Sequence, residues 1–247
     1  MNERLPIAAT AADLLARIRR ERPHVHCLTN TVVQKFTADG LSALGAFPSM
    51  TANIKEMGEF AGRADALLVN LGTLDAQRRQ VIKAAIPVMN RRDRPWVLDP
   101  VKCHLSSPRL AFAQSLLRLE PAAIRGNSAE TAALGFPPDI VVVETGERDH
   151  IGSGGETIAV LNGHPYMAAV TGTGCLSGAA LAAFLAVGRR QPFWAAACAF
   201  LVIGVAAEMA AEHARGPGTF EPAYLDALAA IDADDLTARG RVEHGRP

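Results

Sequence analysis

Residues with the types and spacing for chemistry cluster in a few places along this sequence. The most suggestive run is Val170, Thr171, Gly172, Thr173, Gly174, Cys175, which opens a helical pattern rich in small residues. Glycines let a backbone approach a ligand closely, and successive amides at a helix N-terminus point at an anion. Gly172, Thr173 and Gly174 are therefore a candidate anion cradle, preceded by an expected strand. Cys175 falls in the first helical turn, where the helix field is expected to lower the thiol pKa. The plainer alternative is a tight turn with a small core cysteine. The run is neither a Walker A sequence nor a GxGxxG fingerprint.

Two carboxylates join it. Asp99 ends an apolar run ahead of Pro100, and Glu130 lies three residues after Asn127. Either acid could hold magnesium through water, because that ion keeps several waters and needs few protein carboxylates. The Asn127 to Glu130 spacing also fits a capping box. Arg125, at the end of an apolar stretch, suits a phosphate partner or a surface ion pair. His24, His26 and Cys27 look like metal ligands in print, but His26 and Cys27 point to opposite faces of a strand and no further ligand is placed. Cys103 and His104 are adjacent, which does not establish nucleophile and base geometry.

These residues need elements to position them. Helical periodicity is expected over residues 13–20, 32–44, 54–63, 74–90 (interrupted or ended near Pro87), 107–119, 128–134, 176–187 and 192–213. Short apolar strands are expected at 25–28, 66–70, 95–98, 122–124 and 140–143. Residues 46–50 read as extended, 151–170 as two antiparallel strands turning at 152–155, and 171–174 as a loop. Strands alternating with helices predict an α/β fold with a mainly parallel central sheet and helices on both faces. Ligands in such sheets bind beyond the carboxyl ends of the strands. Asn30, Asn70, Asp99, Asn127 and Thr145 all fall there. With no linker or repeat, one domain is expected over 1–247.

Lys+Arg and Asp+Glu are both 25, so the net charge is zero, which argues against a basic nucleic-acid binder. Hydrophobic residues make up 49%, too many for a disordered chain. The longest apolar stretch, 195–207, is shorter than the roughly 20 residues of a membrane span, and residues 1–10 lack the apolar core of a secretory leader. The 4 cysteines form no CxxC pair. A cytoplasmic protein with free thiols and no membrane or nucleic-acid partner is expected.

In order along nearly the whole chain, these motifs resemble the hydroxyethylthiazole kinase family of thiamin biosynthesis, in the ribokinase-like superfamily. The matching text is VHCLTN at 25–30, ADGLSALGAFPSM at 38–50, ALLVNLGTL at 66–74, WVLDPV at 96–101, PAAIRGN at 121–127 with Glu130, and residues 141–147. GTGC at 172–175 and GPGTF at 216–220 complete it. The cysteine of GTGC is telling, since most ribokinase-like enzymes carry Asp there. The resemblance implies a three-layer ribokinase-like fold and transfer of the ATP γ-phosphoryl group to the primary alcohol of 4-methyl-5-(2-hydroxyethyl)thiazole. It implies an anion hole at Gly172, Thr173 and Gly174, with Cys175 beside the acceptor hydroxyl and Gly172 also bordering the substrate. It assigns Mg²⁺ to Asp99 and Glu130, ATP to Arg125, Thr145 and Asn127, and the thiazole to Asn30 and Met50. It also implies a homotrimer with shared active sites. The alternatives are a kinase of another small heteroaromatic alcohol, or a non-catalytic binder of nucleotide or thiazole. This sequence departs from the family at Lys102, Cys103 and His104, which stand where relatives have a glycine-containing loop. The connection from Glu130 to Val141 is also short, so a face covered in relatives is expected to be exposed or covered by a neighbouring subunit.

Overall fold

Short apolar runs bounded by polar residues become the strands of one sheet in the computed structural model, which describes residues 7–245. The expectation of no leader rests partly on residues 1–6, which lie outside the described residues. The strands are β1 (His24–Leu28), β2 (Phe47–Ser49), β3 (Ala66–Asn70), β4 (Trp96–Asp99), β5 (Ala123–Asn127), β6 (Val141–Thr145), β7 (Asp149–Ser153), β8 (Glu156–Val160) and β9 (Val242–Gly245). Their order is β2-β1-β3-β4-β5-β6-β7-β8-β9. All pairings from β2 through β6 are parallel, and β6 to β9 pair antiparallel.

Alternation along the strands feeds two cores. Val25, Cys27, Leu68 and Val97 point into one; Leu28, Leu67, Val69 and Leu98 point into the other. The first core is closed by α1 (Ile7–Glu21), α2 (Gln34–Leu44), α8 (Thr173–Gly188), α9 (Pro192–His213), α10 (Pro217–Ala230) and α11 (Ala233–Arg239). The second is closed by α3 (Met57–Arg63), α4 (Ala76–Arg91), α5 (Ser107–Leu117) and α6 (Ser128–Leu134). This is the expected sheet with helices on both faces. A short helix, α7 (Tyr166–Ala169), lies just before α8.

Several elements differ from the sequence expectation. Helix α4 runs straight through Pro87, because Val81, Ile82, Ala85, Ile86 and Met89 keep one buried face on both sides of it. That burial outweighs the ~3 kcal/mol that an interior proline costs. The expected antiparallel pair ends at Val160, not Val170; its turn is Gly154-Gly155, both at positive φ, as a two-residue hairpin requires. The cradle follows helix α7, not a strand, and residues 173–174 belong to the first turn of α8 instead of a loop. Strand β9 had no periodicity to announce it; it adds to the edge left by β8. Beyond α6 only residues 135–140 lead back to the sheet, and Phe136 stands exposed there.

Helix α9 is long and apolar enough to cross a membrane, but 78% of its most apolar window is buried inside the protein. The apolar stretch at 195–207 is only the middle of this helix, so burial, and not length, sets it apart from a membrane span. Gly204 on this helix admits the backbone of Asn162, whose carbonyl oxygen would lie 2.6 Å from an added Cβ. Asn162 cannot retreat, since its side chain is tied to Glu208, to the carbonyl of Arg239 and to the amide of Arg241. Gly204→Ala is expected to cost about 1–3 kcal/mol, a drop of about 2–4 °C in Tm for each kcal/mol, read by thermal melting. A wild-type Tm would contradict this packing.

Candidate active site

The carboxyl ends of β3, β4, β5 and β6 face the N-terminus of α8, and polar residues gather between them. Gly172 caps α8 at φ 104°, and an added Cβ would sit 2.8 Å from Val33 Cγ1, so two constraints select glycine. No side chain caps this end, which leaves the first amides of α8 without a side-chain acceptor. Thr173 spends its hydroxyl on the carbonyls of Met167 and Val170, so toward the cradle it offers its backbone. The Arg125 guanidinium lies directly on the turn: a Cβ on Gly174 would be 2.9 Å from one of its nitrogens. Arg125 donates to Thr145 Oγ1 at 3.2 Å and stands 3.8 Å from Asp99 Oδ1, while its Nε has no partner. A cation is thus held against the positive end of a helix, an arrangement that favours a shared anion. Arg125, Thr145, Thr173 and Gly174 border a cleft of about 760 Å³ that runs on past Asp149 and His164.

Asp99 is fully buried. Its Oδ2 accepts from Asn70 Nδ2 at 2.6 Å, whereas Oδ1 has no hydrogen-bond partner. Burial pushes its pKa up to about 6; Arg125 and Asn70 oppose this and the nearby Glu130 carboxylate adds to it. A buried carboxylate oxygen left without a donor fits a site for a cation. Glu130 is also buried, and its two oxygens accept the amides of Lys102 at 2.6 Å and Asn127 at 2.9 Å. The capping box is therefore real, with Asn127 Oδ1 accepting from the Glu130 amide. It orients Glu130 and leaves Asn127 with its carbonyl-side oxygen committed. No cluster of three or more metal-ligating side chains occurs among the described residues.

Cys175 differs from expectation. Burial, followed by the neighbouring Asp99 charge, pushes its pKa up to about 11 despite its place in the first turn of α8. Desolvation outweighs the helix field, and the side chain is a neutral thiol at pH 7. Its sulfur accepts from Asn30 Nδ2 at 3.4 Å and Asn70 Nδ2 at 3.3 Å. Met50 sits at the end of edge strand β2, half-buried against the first core. None of Asn30, Met50 and Asn127 lines the cleft beside Arg125.

Sequence reading missed the part played by Asn70, whose place at a strand end was its only signal. It also missed the tie between Ser49 and both His24 and His26. His26 Nε2 faces the Thr51 carbonyl, which only accepts, so Nδ1 accepts from Ser49 and Ser49 accepts from His24. The histidines thus hold β2 to β1 and are not arranged as metal ligands. Cys103 is buried against the Glu130 carbonyl while His104 is exposed, so they do not pair. Lys102 adopts the left-handed conformation, φ 54° and ψ 29°, that a glycine would take without strain.

The fold is shared with a ribokinase-like superfamily protein from Enterococcus faecalis V583, with a TM-score of 0.61 over 89% of this chain and 95% of that one at 16% identity. The model of the hydroxyethylthiazole kinase family matches residues 15–137 and 136–234. The chain belongs to the hydroxyethylthiazole kinase family. A probable hydroxyethylthiazole kinase from Agrobacterium fabrum is 52% identical over 244 residues, 99% of both chains. A solved hydroxyethylthiazole kinase protein from Pyrococcus horikoshii OT3 superposes with a TM-score of 0.92 at 33% identity, covering 96% of this chain and 100% of that one. The two family segments meet at residues 136–137, in the short connection between α6 and β6.

Cys27, Cys103 and Cys198 are buried, so Cys175 is the thiol expected to react first with iodoacetamide. Its rate should climb about tenfold per pH unit from pH 7 to 9.5, past the plateau near pH 8.5 of an ordinary cysteine. Peptide mapping identifies the site, and a plateau below pH 8 would contradict the neutral thiol.

Proposed function

We propose that this chain transfers the γ-phosphoryl group of ATP to the primary hydroxyl of 4-methyl-5-(2-hydroxyethyl)thiazole, with magnesium, as a cytoplasmic homotrimer. The observation that carries the reading is Arg125 laid on the uncapped first turn of α8, beside a cleft large enough for a nucleotide. Membership of the family supplies the acceptor.

Phosphoryl transfer depends on positioning and charge neutralisation more than on covalent help from the protein. Arg125 and Thr145 bind phosphate oxygens from one side, and the amides at Gly172, Thr173 and Gly174 face the transferring group from the other. The thiazole hydroxyl lies at Cys175, with Asn30, Met50 and Gly172 around the ring. As the hydroxyl oxygen bonds to the γ-phosphorus, the bond to the β,γ-bridging oxygen breaks and ADP leaves with that electron pair. The hydroxyl proton is released overall. Cys175 does not take it as a base: its thiol is neutral, and two amide N–H groups already point at the sulfur. A loose transition state needs little such help.

Asp99 Oδ1 and Glu130 would hold magnesium with its waters, which when bound neutralises the triphosphate. Asp99 Oδ1 accepts no hydrogen bond and meets Arg125 only at 3.8 Å, which supports its role toward a cation. The trimer is supported by Val32, an apolar side chain 79% exposed two residues after Asn30, where a neighbouring subunit would cover it.

With Mg-ATP, ADP release is expected with the thiazole alcohol and not with a panel of unrelated small alcohols. Turnover only with another heteroaromatic alcohol would reassign the acceptor. No turnover of any alcohol despite nucleotide binding would favour a non-catalytic binder. Asp99→Asn should lower kcat by about 100-fold or more while light scattering still reports a trimer. Unchanged kcat would remove Asp99 from the metal site.

A further inference from the structure

We propose that Asn70 is a positioning residue that fixes the metal-side carboxylate and the acceptor-side thiol relative to each other, an inference that rests on the kinase reading above. Asn70 ends β3 directly beside Asp99 at the end of β4, and it is 1% exposed. Its Nδ2 donates to Asp99 Oδ2 at 2.6 Å and to Cys175 Sγ at 3.3 Å. Its Oδ1 accepts from the Gly72 amide at 3.0 Å. The orientation of the carboxamide is therefore settled at both ends. The Gly72 N–H can only donate, and an ionised Asp99 can only accept.

Both N–H bonds of this amide serve groups on other elements: one on the sheet, one on the first turn of α8. Among the described residues, Asn70 is the side chain hydrogen-bonded to both. It occupies Oδ2 of Asp99 and so leaves Oδ1, which accepts no hydrogen bond and lies 3.8 Å from Arg125, as the oxygen for a cation. It also joins Asn30 in holding the Cys175 sulfur. Gly72 allows the arrangement, since an added Cβ would lie 2.9 Å from Asn70 Oδ1 and 2.8 Å from Asn30 Cβ. The spacing between metal site and acceptor site is thus set by one rigid planar group. Threonine or serine could supply only a single donor there, and aspartate would set a second carboxylate against Asp99.

The test uses Asn70→Ala, with Asn70→Ser as the variant that keeps one donor, beside the full-length wild-type chain. For Asn70→Ala, kcat should fall about 30- to 100-fold while KM for Mg-ATP stays within about threefold, with Asn70→Ser between the two. Replacing magnesium by Mn²⁺ gives a readout independent of turnover. In the wild type, adding the thiazole alcohol to the Mn²⁺–AMP-PCP complex should alter the Mn²⁺ electron paramagnetic resonance spectrum. In both variants that response should weaken although calorimetry shows each ligand still bound. Variants that melt like the wild type and match it in kcat and in the Mn²⁺ response would overturn the proposal and leave the kinase reading intact. A kcat that falls only in proportion to the folded fraction would overturn it equally. A wild-type chain that turns over no alcohol would overturn both.

Discussion

An arginine pressed onto the positive end of a helix is an unfavourable pairing that needs an anion to complete it, and much of the site is arranged around that constraint. Arg125 can lie there only because residue 174 has no side chain, and α8 can begin there only because residue 172 tolerates a positive φ. The guanidinium is turned toward Thr145 on one strand and Asp99 on another. It therefore spans the end of the parallel sheet. Asp99 Oδ1 stands 3.8 Å from it, a long ion pair, and accepts no hydrogen bond. A cation and a carboxylate, each keeping one buried polar atom without a hydrogen-bond partner, then face the same space. On the function proposed above, a nucleotide phosphate with its metal ion would serve both at once.

The sheet is what brings these groups together. Parallel pairing from β2 to β6 places the residues that follow each strand along one edge, although they are scattered over more than a hundred positions of sequence. Asn70 and Asp99 are register partners, and so are Asn127 and Thr145. Their adjacency follows from hydrogen bonding between strands and not from any local motif.

That distinction explains what could be seen in the sequence. Strand β3 and helices α6 and α9 have the boundaries their apolar patterns predict, because burial alone defines them. The alternating architecture was legible for the same reason, and motif order carried the family. Pro87 misled because propensity is local while the buried face of α4 is not. Strand β9 was invisible because an edge strand with exposed residues leaves no alternation to read. At the site, residue types were legible but their environments were not. The thiol of Cys175 shows this best: position predicts a low pKa, and only the surrounding protein reveals that desolvation wins. The dual bonding of Asn70 was hidden because it depends on cross-strand register.

Helix α9 has a consequence for how the chain is made. As it leaves the ribosome it is, by composition, indistinguishable from a segment destined for a lipid bilayer. Part of the surface that buries it is synthesised first. Helices α1 and α8 and strands β6, β7 and β8, all of which α9 packs against, precede it in the chain. A growing chain that has already folded that far offers α9 a protein surface to bury against before a membrane can compete for it. Substitutions that slow the earlier elements would then act on the cellular fate of this helix, even where they leave the finished fold unaltered.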